Sequence, residues 1–192
     1  SISFMDYNFG RVLDALEKSK YKDNTIVVLW ADHGFHMGEK DHFAKYALWE
    51  KTTHTLLMAK IPDGPEGENR DQPVNLLDIY PTLIDYCGLP EVNQELSGVS
   101  LRNVIEDKHY KKETPSITYY KKGSIGVRSF NWRYIRYFDG TEELYNHKED
   151  PGEWKNLANN PEFRAIKKDF EKWFPADRKK AVGPIKNRSN EK

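Results

Sequence analysis

The 192 residues carry 30 Lys and Arg against 30 Asp and Glu, and a net charge of zero excludes a general nucleic-acid binder, which needs a basic surplus to hold phosphates. The hydrophobic content of 38%, with 13% aromatics, is enough for one packed domain or slightly more, and no apolar stretch reaches the ~20 residues needed to cross a membrane. The single cysteine, Cys87, excludes an internal disulfide and a multi-cysteine metal site.

In chain order, "SISFMDYNFGRVLDALEKSK" places Phe9, Val12, Leu13 and Leu16 at helical spacing. It has no initiator Met, signal peptide or preceding cap, so the chain is expected to be cut from a longer one. "TIVVLW" is a short, continuous apolar run, the pattern of a strand buried on both faces of a parallel sheet. "ADHGFHMGEKDHF" is a loop, and "HTLLMAKIP" reads as the next strand. "VNLLDIYPTLIDYCGLP" is helical in period, with Pro81 in its first turns and Gly88 as its stop. "SGVSLRNVIED" gives a turn and a short helix. After "KKETP" come short aromatic and β-branched segments separated by turns at Gly123, Asn131 and Asp139-Gly140, the pattern of an antiparallel meander. A helix is expected near 161–174, followed by a loose polar tail.

Chemistry concentrates after the "TIVVLW" strand. In open α/β sheets, ligands bind beyond the carboxyl ends of strands, where Asp32, His33 and Gly34 stand. Gly34 lets the backbone turn sharply. Asp32 supplies a hard oxygen suited to Ca²⁺ or Mg²⁺. Imidazole is not a typical ligand for either ion, so His33 either binds the metal or orients substrate. His33, His36, His42 and His54 crowd this span, but their spacing matches no compact zinc signature, which leaves zinc the minor option. Lys45 beside a metal can neutralise an anionic substrate and the charge developing on a leaving oxygen. Glu39, Lys40 and Asp41 read as ordinary loop charges. The aromatic cluster of Tyr119, Tyr120, Phe130, Trp132, Tyr134, Tyr137 and Phe138 reads as packing ahead of sugar stacking. Arg128, Arg133 and Arg136 suit either an anionic polysaccharide or a solvated strand face. Asn187-Arg188-Ser189 fits the glycosylation pattern, as one triplet in a polar tail.

"NTIVVLWADHGFHMGEKDHFAKYALWEKTTHTLL" resembles the sulfatase pattern, in which a buried strand leads to Asp-Asn/His-Gly, then Gly-Glu, then a lysine before an aromatic. Asp-His-Gly is similar to the iduronate-2-sulfatase-like branch. "FMDYNFGRVLDALE", "VNLLDIYPTLIDYCGLP" with "LSGVSL", and "VRSFNWRYIRYFDGTEELYNHKEDPGEWKNLA" resemble further segments of that family in the right order. The resemblance implies an α/β fold of the alkaline-phosphatase-like class with a small antiparallel sheet and helix at the C-terminus. Residues 1–114 would be the C-terminal part of the catalytic domain, and 115–192 a small α+β subdomain with its tail.

The resemblance also implies sulfate-ester hydrolysis on a sulfated saccharide, with a formylglycine nucleophile and a divalent cation, Ca²⁺ ahead of Mg²⁺. Carried over by position, Asp32 and His33 are metal ligands, Lys45 is the catalytic lysine that contacts sulfate, and Phe35, His36 and Tyr46 are substrate-pocket residues. The family's Cys-x-Pro/Ala-x-Arg motif is absent. Cys87 lies in "DYCGLPEV", where Pro90 falls one place late and no arginine follows at the motif spacing, so Cys87 is expected as a core thiol. The family's paired N-terminal aspartates, and the upstream lysine and histidine around its nucleophile, are absent too. His54-Thr55-Leu56-Leu57 replaces the family's Arg/His-Val-Pro-Leu. The nucleophile is therefore expected outside this chain, with the N-terminal half of the enzyme as a separate chain or missing segment. Alone, the chain is expected to be inactive and poorly folded, because a sheet edge and an apolar face would lie open. The competing readings are a phosphodiesterase or phosphonate hydrolase of the same superfamily, and a non-catalytic binding module derived from a sulfatase. Compartment stays open, since the family is commonly secreted, periplasmic or lysosomal.

Overall fold

The computed structural model describes residues 1–90 and 93–175, which divide into two compact units. The expected tail and its glycosylation triplet lie outside the described residues. The first unit comprises Ser1–Trp30 and Leu56–Asn69. It holds helix α1 (Ile2–Glu17) and strands β1 (Val27–Trp30) and β2 (Leu57–Lys60). The β1 and β2 strands pair antiparallel, from Val27 opposite Lys60 to Trp30 opposite Leu57. The expectation of a parallel, doubly covered strand is therefore corrected. A short apolar run signals burial but does not encode the direction of its neighbour. Within this unit many apolar side chains stay open, while Phe9, Leu13, Val27, Val28 and Leu29 are half-buried. No α1 residue is buried, and Phe4, Tyr7, Val12, Trp30 and Met58 are all exposed.

The second unit comprises Ala31–Thr55 and everything from Arg70 onward. Residues 70–114 thus group with the C-terminal sheet. Helix α2 (Glu50–Thr53) closes the loop after Ala31. Helix α3 (Ile79–Cys87) follows a 3₁₀ turn at Leu76–Asp78 and ends at Gly88 in the left-handed conformation its sequence predicts. Cys87 is exposed, which corrects the core-thiol expectation: as the last residue of α3 it stands beyond the packed turn. Helix α4 (Arg102–Glu106) is tied back to α3 through two buried polar residues. Asp78 accepts from the amides of Asn75 (2.9 Å) and Val99 (3.0 Å), while the Thr82 hydroxyl accepts from the Leu101 amide at 2.8 Å. The Asp-x-Tyr-Pro-Thr and Gly-x-Ser-Leu segments are thus two halves of one clamp. Gly98 allows it, because a Cβ there would meet the Leu77 carbonyl oxygen at 2.1 Å.

The meander forms as the turn residues predict. Strands β3 (Ser116–Tyr120), β4 (Ser124–Arg128), β5 (Trp132–Arg136) and β6 (Glu142–Asn146) are antiparallel in sequence order. Alternation then assigns the faces. Ile125, Val127, Tyr134 and Leu144 pack with Phe170 of helix α5 (Arg164–Glu171). Each such side chain contributes ~1.5–3 kcal/mol by leaving water. Ile135 and Tyr145 face the other way and bury Leu48. Tyr134 is fully buried and Trp132 stacks on Phe163, which is the packing role expected of the cluster's core half. Tyr119, Phe130 and Phe138 remain exposed.

The solvated-face alternative fails for Arg133, which the fold buries, while Arg128 and Arg136 are half-buried. Arg133 is 2% exposed. Its Nε donates to Glu153 Oε1 at 2.5 Å, its Nη1 to the Leu48 carbonyl at 3.0 Å, and its Nη2 to the Glu50 carboxylate. Arg128 also donates to Glu50, at 3.2 Å. Glu153 Oε2 accepts the Glu50 amide (2.8 Å), and His147 Nε2 lies 2.8 Å from Oε1. Glu153 holds this place from a left-handed backbone (φ 59), which a non-glycine residue adopts only when its surroundings hold it there. Glu50, His147 and Glu153 lie close enough to hold a metal, but the two arginines already supply the counter-charge.

Burial alone would raise the pKa of both carboxylates. For Glu50 the His54 hydrogen bond and then Arg133 and Arg128 overcome it, and for Glu153 the His147 hydrogen bond and Arg133 do, so both values fall below the ordinary 4.5. Groups shifted this way stabilise the fold fully above the unfolded value and lose that contribution as pH drops below it. Unfolding free energy is expected to decline below about pH 4.5, and less steeply in Glu153→Gln, as acid titration with a denaturant series would show. Arg133→Met removes the cation that Glu50 and Glu153 share and is expected to cost ~3–5 kcal/mol in a guanidinium melt.

Candidate active site

The loop from Ala31 to Thr55 folds back on itself, so residues distant in sequence meet. The Gly34 amide donates to the Thr52 carbonyl (2.8 Å), His36 to Ala44 (3.1 Å) and Gly38 to His42 (3.1 Å). Gly38, Lys40 and Asp41 all take positive φ to close the tip. The loop then returns Lys45 to His33. Gly34 is needed for close approach, where a sharp turn was expected: a Cβ would lie 2.1 Å from the Lys51 carbonyl oxygen and 2.9 Å from that of His54.

The structure brings Asp32, His33 and Lys45 together. Lys45 Nζ is 2.9 Å from His33 Nε2, and Asp32 Oδ2 is 3.3 Å from the same nitrogen. His33 Nδ1 lies 2.8 Å from the Gly34 carbonyl oxygen, which only a protonated Nδ1 can meet. In the neutral ring Nε2 then carries a lone pair, directed at Lys45 and beside the carboxylate. Asp32 is open, with 82% of its side chain exposed. Its other oxygen, Oδ1, accepts the His33 amide at 3.1 Å, which keeps carboxylate and ring together. Asp32 and His33 offer a divalent cation a hard oxygen and an imidazole nitrogen whose ring is oriented by a carbonyl, and a cation would take Nε2 only as Lys45 gives up its hydrogen bond there.

The pocket residues separate. Phe35 is exposed and meets Phe43 edge to face at 5.6 Å. Tyr46 is 61% exposed. His36 is completely buried, with Nδ1 2.8 Å from the Thr52 hydroxyl, so its ring reaches no open pocket here. Among the described residues its Nε2 and that of His42 find no hydrogen-bond partner, and the two rings lie 5.2 Å apart. Burial first and His42 second push the His36 pKa down, which favours the neutral ring.

Lys40 is not an ordinary loop charge. Its ammonium lies 4.7 Å from the ring centroids of both Trp49 and Tyr145 and donates to the Glu153 carbonyl. Sequence reasoning missed Lys40, Glu50 and Glu153, which have partners far along the chain, and Phe43, whose partner Phe35 lies in the same loop. A cleft of about 410 Å³ lined by Phe130, Trp132, Trp173, Lys112 and Lys172 contains none of the expected site residues.

The sulfatase family model matches residues 1–89. A sulfatase of Formosa agariphila is 46% identical over 164 residues, which cover 85% of this chain and 32% of that one. A Δ4,5-hexuronate-2-O-sulfatase of Bacteroides thetaiotaomicron is 34% identical, over 81% of this chain and 35% of its own. The structure of a protein in complex with its substrate D-glucosamine-2-N,6-O-disulfate superposes with a TM-score of 0.75 at 26% identity. That match covers 88% of this chain and 37% of the other. Fold and sequence together define an α/β chain of the alkaline-phosphatase-like class. The chain belongs to the sulfatase family, and it spans about a third of the length of the curated relatives it matches.

Gly34→Ala is expected to push α2 away from the Asp32–His33 backbone. The His33 imidazole resonances and their coupling to Lys45 should shift in an NMR titration, while the β4–β5 amides stay in place.

Proposed function

We propose that this chain supplies the metal-side carboxylate, the imidazole and the sulfate-binding lysine of a sulfuric ester hydrolase acting on a sulfated saccharide. The observation that carries the proposal is the convergence of Asp32, His33 and Lys45 on one nitrogen, with Lys45 Nζ at 2.9 Å. Sulfate-ester cleavage needs positive charge beside the ester oxygens and negative or neutral donors beside a metal. Both are present within one loop.

Asp32 Oδ2 and His33 Nε2 would hold a divalent cation, Ca²⁺ ahead of Mg²⁺, which when bound polarises a sulfate oxygen and steadies the nucleophile. The protein's own groups do the remaining work. Lys45 donates to the His33 lone pair in this arrangement; once that lone pair is given to a cation, the ammonium is released to donate to a sulfate oxygen instead. Its fixed positive charge then meets the charge that builds on the departing oxygens. The Gly34 carbonyl keeps the proton on His33 Nδ1, so Nε2 remains a donor of electrons. Phe35 and Tyr46, both exposed beside these groups in sequence, form the saccharide-facing wall.

The nucleophile is assigned to polypeptide outside these 192 residues, as a formylglycine made from a cysteine. The open apolar side chains of α1, β1 and β2 support the presence of that further polypeptide. Phe4, Tyr7, Val12, Trp30 and Met58 are costly to leave in water unless another surface covers them.

Lys45→Gln in the polypeptide that carries this chain is expected to lower kcat/KM on a sulfate ester by ~10²–10³. Steady-state assays on a sulfated monosaccharide read this directly. Cleavage of phosphonate or phosphodiester substrates with no sulfate-ester turnover would overturn the proposal.

A further inference from the structure

A second lysine reaches toward the same site from the C-terminal sheet. Lys121 opens the 3₁₀ turn that joins β3 to β4. Its ammonium lies 5.1 Å from the Tyr46 ring centroid, and Lys45 Nζ lies 6.0 Å from that same centroid. Both distances are measured to one ring, so the two cations are no further apart than their sum, a span covered by a disaccharide. Tyr120 adds a second aromatic face 5.8 Å from the Lys121 ammonium.

The electrostatics set this pair apart from the surface lysines that are held in ion pairs. Lys51, Lys167 and Lys172 each stand beside a carboxylate, at 3.9, 2.6 and 2.8 Å. Among the described residues neither Lys45 nor Lys121 has a carboxylate within ion-pair distance. Each lies instead against an aromatic ring, whose quadrupole attracts a cation and limits its wandering without neutralising it. Two cations outside ion pairs therefore lie near one exposed tyrosine ring.

We propose that Lys121 is a second anion-binding position of this site. It takes a carboxylate or a further sulfate on the sugar unit next to the one whose sulfate meets Lys45, so the preferred ligand is a saccharide with two anionic groups on neighbouring units. Tyr46 sets the spacing between the two positions. The proposal rests on the sulfate-ester reading for the role of Lys45, but the Lys121 contact is independently measurable as binding.

The test compares Lys121→Gln and Lys121→Arg with the parent in the polypeptide that carries this chain. Two probes are used: an aryl sulfate with one negative group, and a sulfated disaccharide that also bears a uronate carboxylate. The ratio of kcat/KM for the disaccharide to that for the aryl sulfate is expected to fall about tenfold in Lys121→Gln, through KM, and to be largely restored in Lys121→Arg. Calorimetric affinity for the disaccharide should weaken by the same factor, and less so at high salt. An unchanged ratio with unchanged affinity overturns the subsite and leaves the sulfate-ester reading standing. Disaccharide binding that weakens in Lys121→Gln while the parent cleaves neither ester keeps the subsite and overturns the hydrolase. Failure of the parent to bind or cleave either probe overturns both.

Discussion

Burying Arg133 is the constraint on which the second unit is organised. A guanidinium that is 2% exposed must find acceptors for its donors or the sheet does not form. Those three acceptors come from two separate places: the Leu48 carbonyl and the Glu50 carboxylate from the long loop and the start of α2, and Glu153 from the turn after β6. Satisfying one side chain therefore fixes the loop against the sheet. Leu48, packed with Ile135 and Tyr145 on the same face, adds the apolar part of that contact. Lys40 closes the arrangement from above, held between Trp49 and Tyr145.

The candidate site hangs from this anchor. Glu50 begins α2, and the α2 residue Thr52 accepts the Gly34 amide and holds the His36 ring. Gly34 in turn positions the Asp32–His33 pair. The chemistry-bearing groups are exposed or half-exposed, while the groups that place them are buried. That division lets the loop present a carboxylate, an imidazole and an ammonium to a ligand without collapsing on itself. It also accounts for the left-handed backbone at Glu153, a local cost offset by the ion pairs the carboxylate makes.

The sequence showed local groupings well and long-range pairing poorly. Asp32, His33 and Lys45 were legible because their residue types and spacing sit in one continuous stretch. The meander was legible because alternation and turn residues are local signals. Arg133 was not, because nothing nearby in sequence reveals that its partners lie 20 and 83 residues away. The partner of β1 was missed for a related reason: an apolar run shows that a strand wants cover and leaves the geometry of the cover open. Histidines in the loop looked alike in sequence, yet His33 faces out and His36 is sealed in. That difference depends on Thr52, which only folding brings near.

Native-state hydrogen exchange on Glu153→Gln tests most directly whether the buried ion pairs hold the site loop. If they do, the amides of Gly34, His36 and Glu50 lose protection together, while those of β4 and β5 retain most of theirs. Unchanged protection at Gly34 and His36, with the loss confined to Glu50, would show that the loop holds its shape without the Arg133 anchor and would contradict the account.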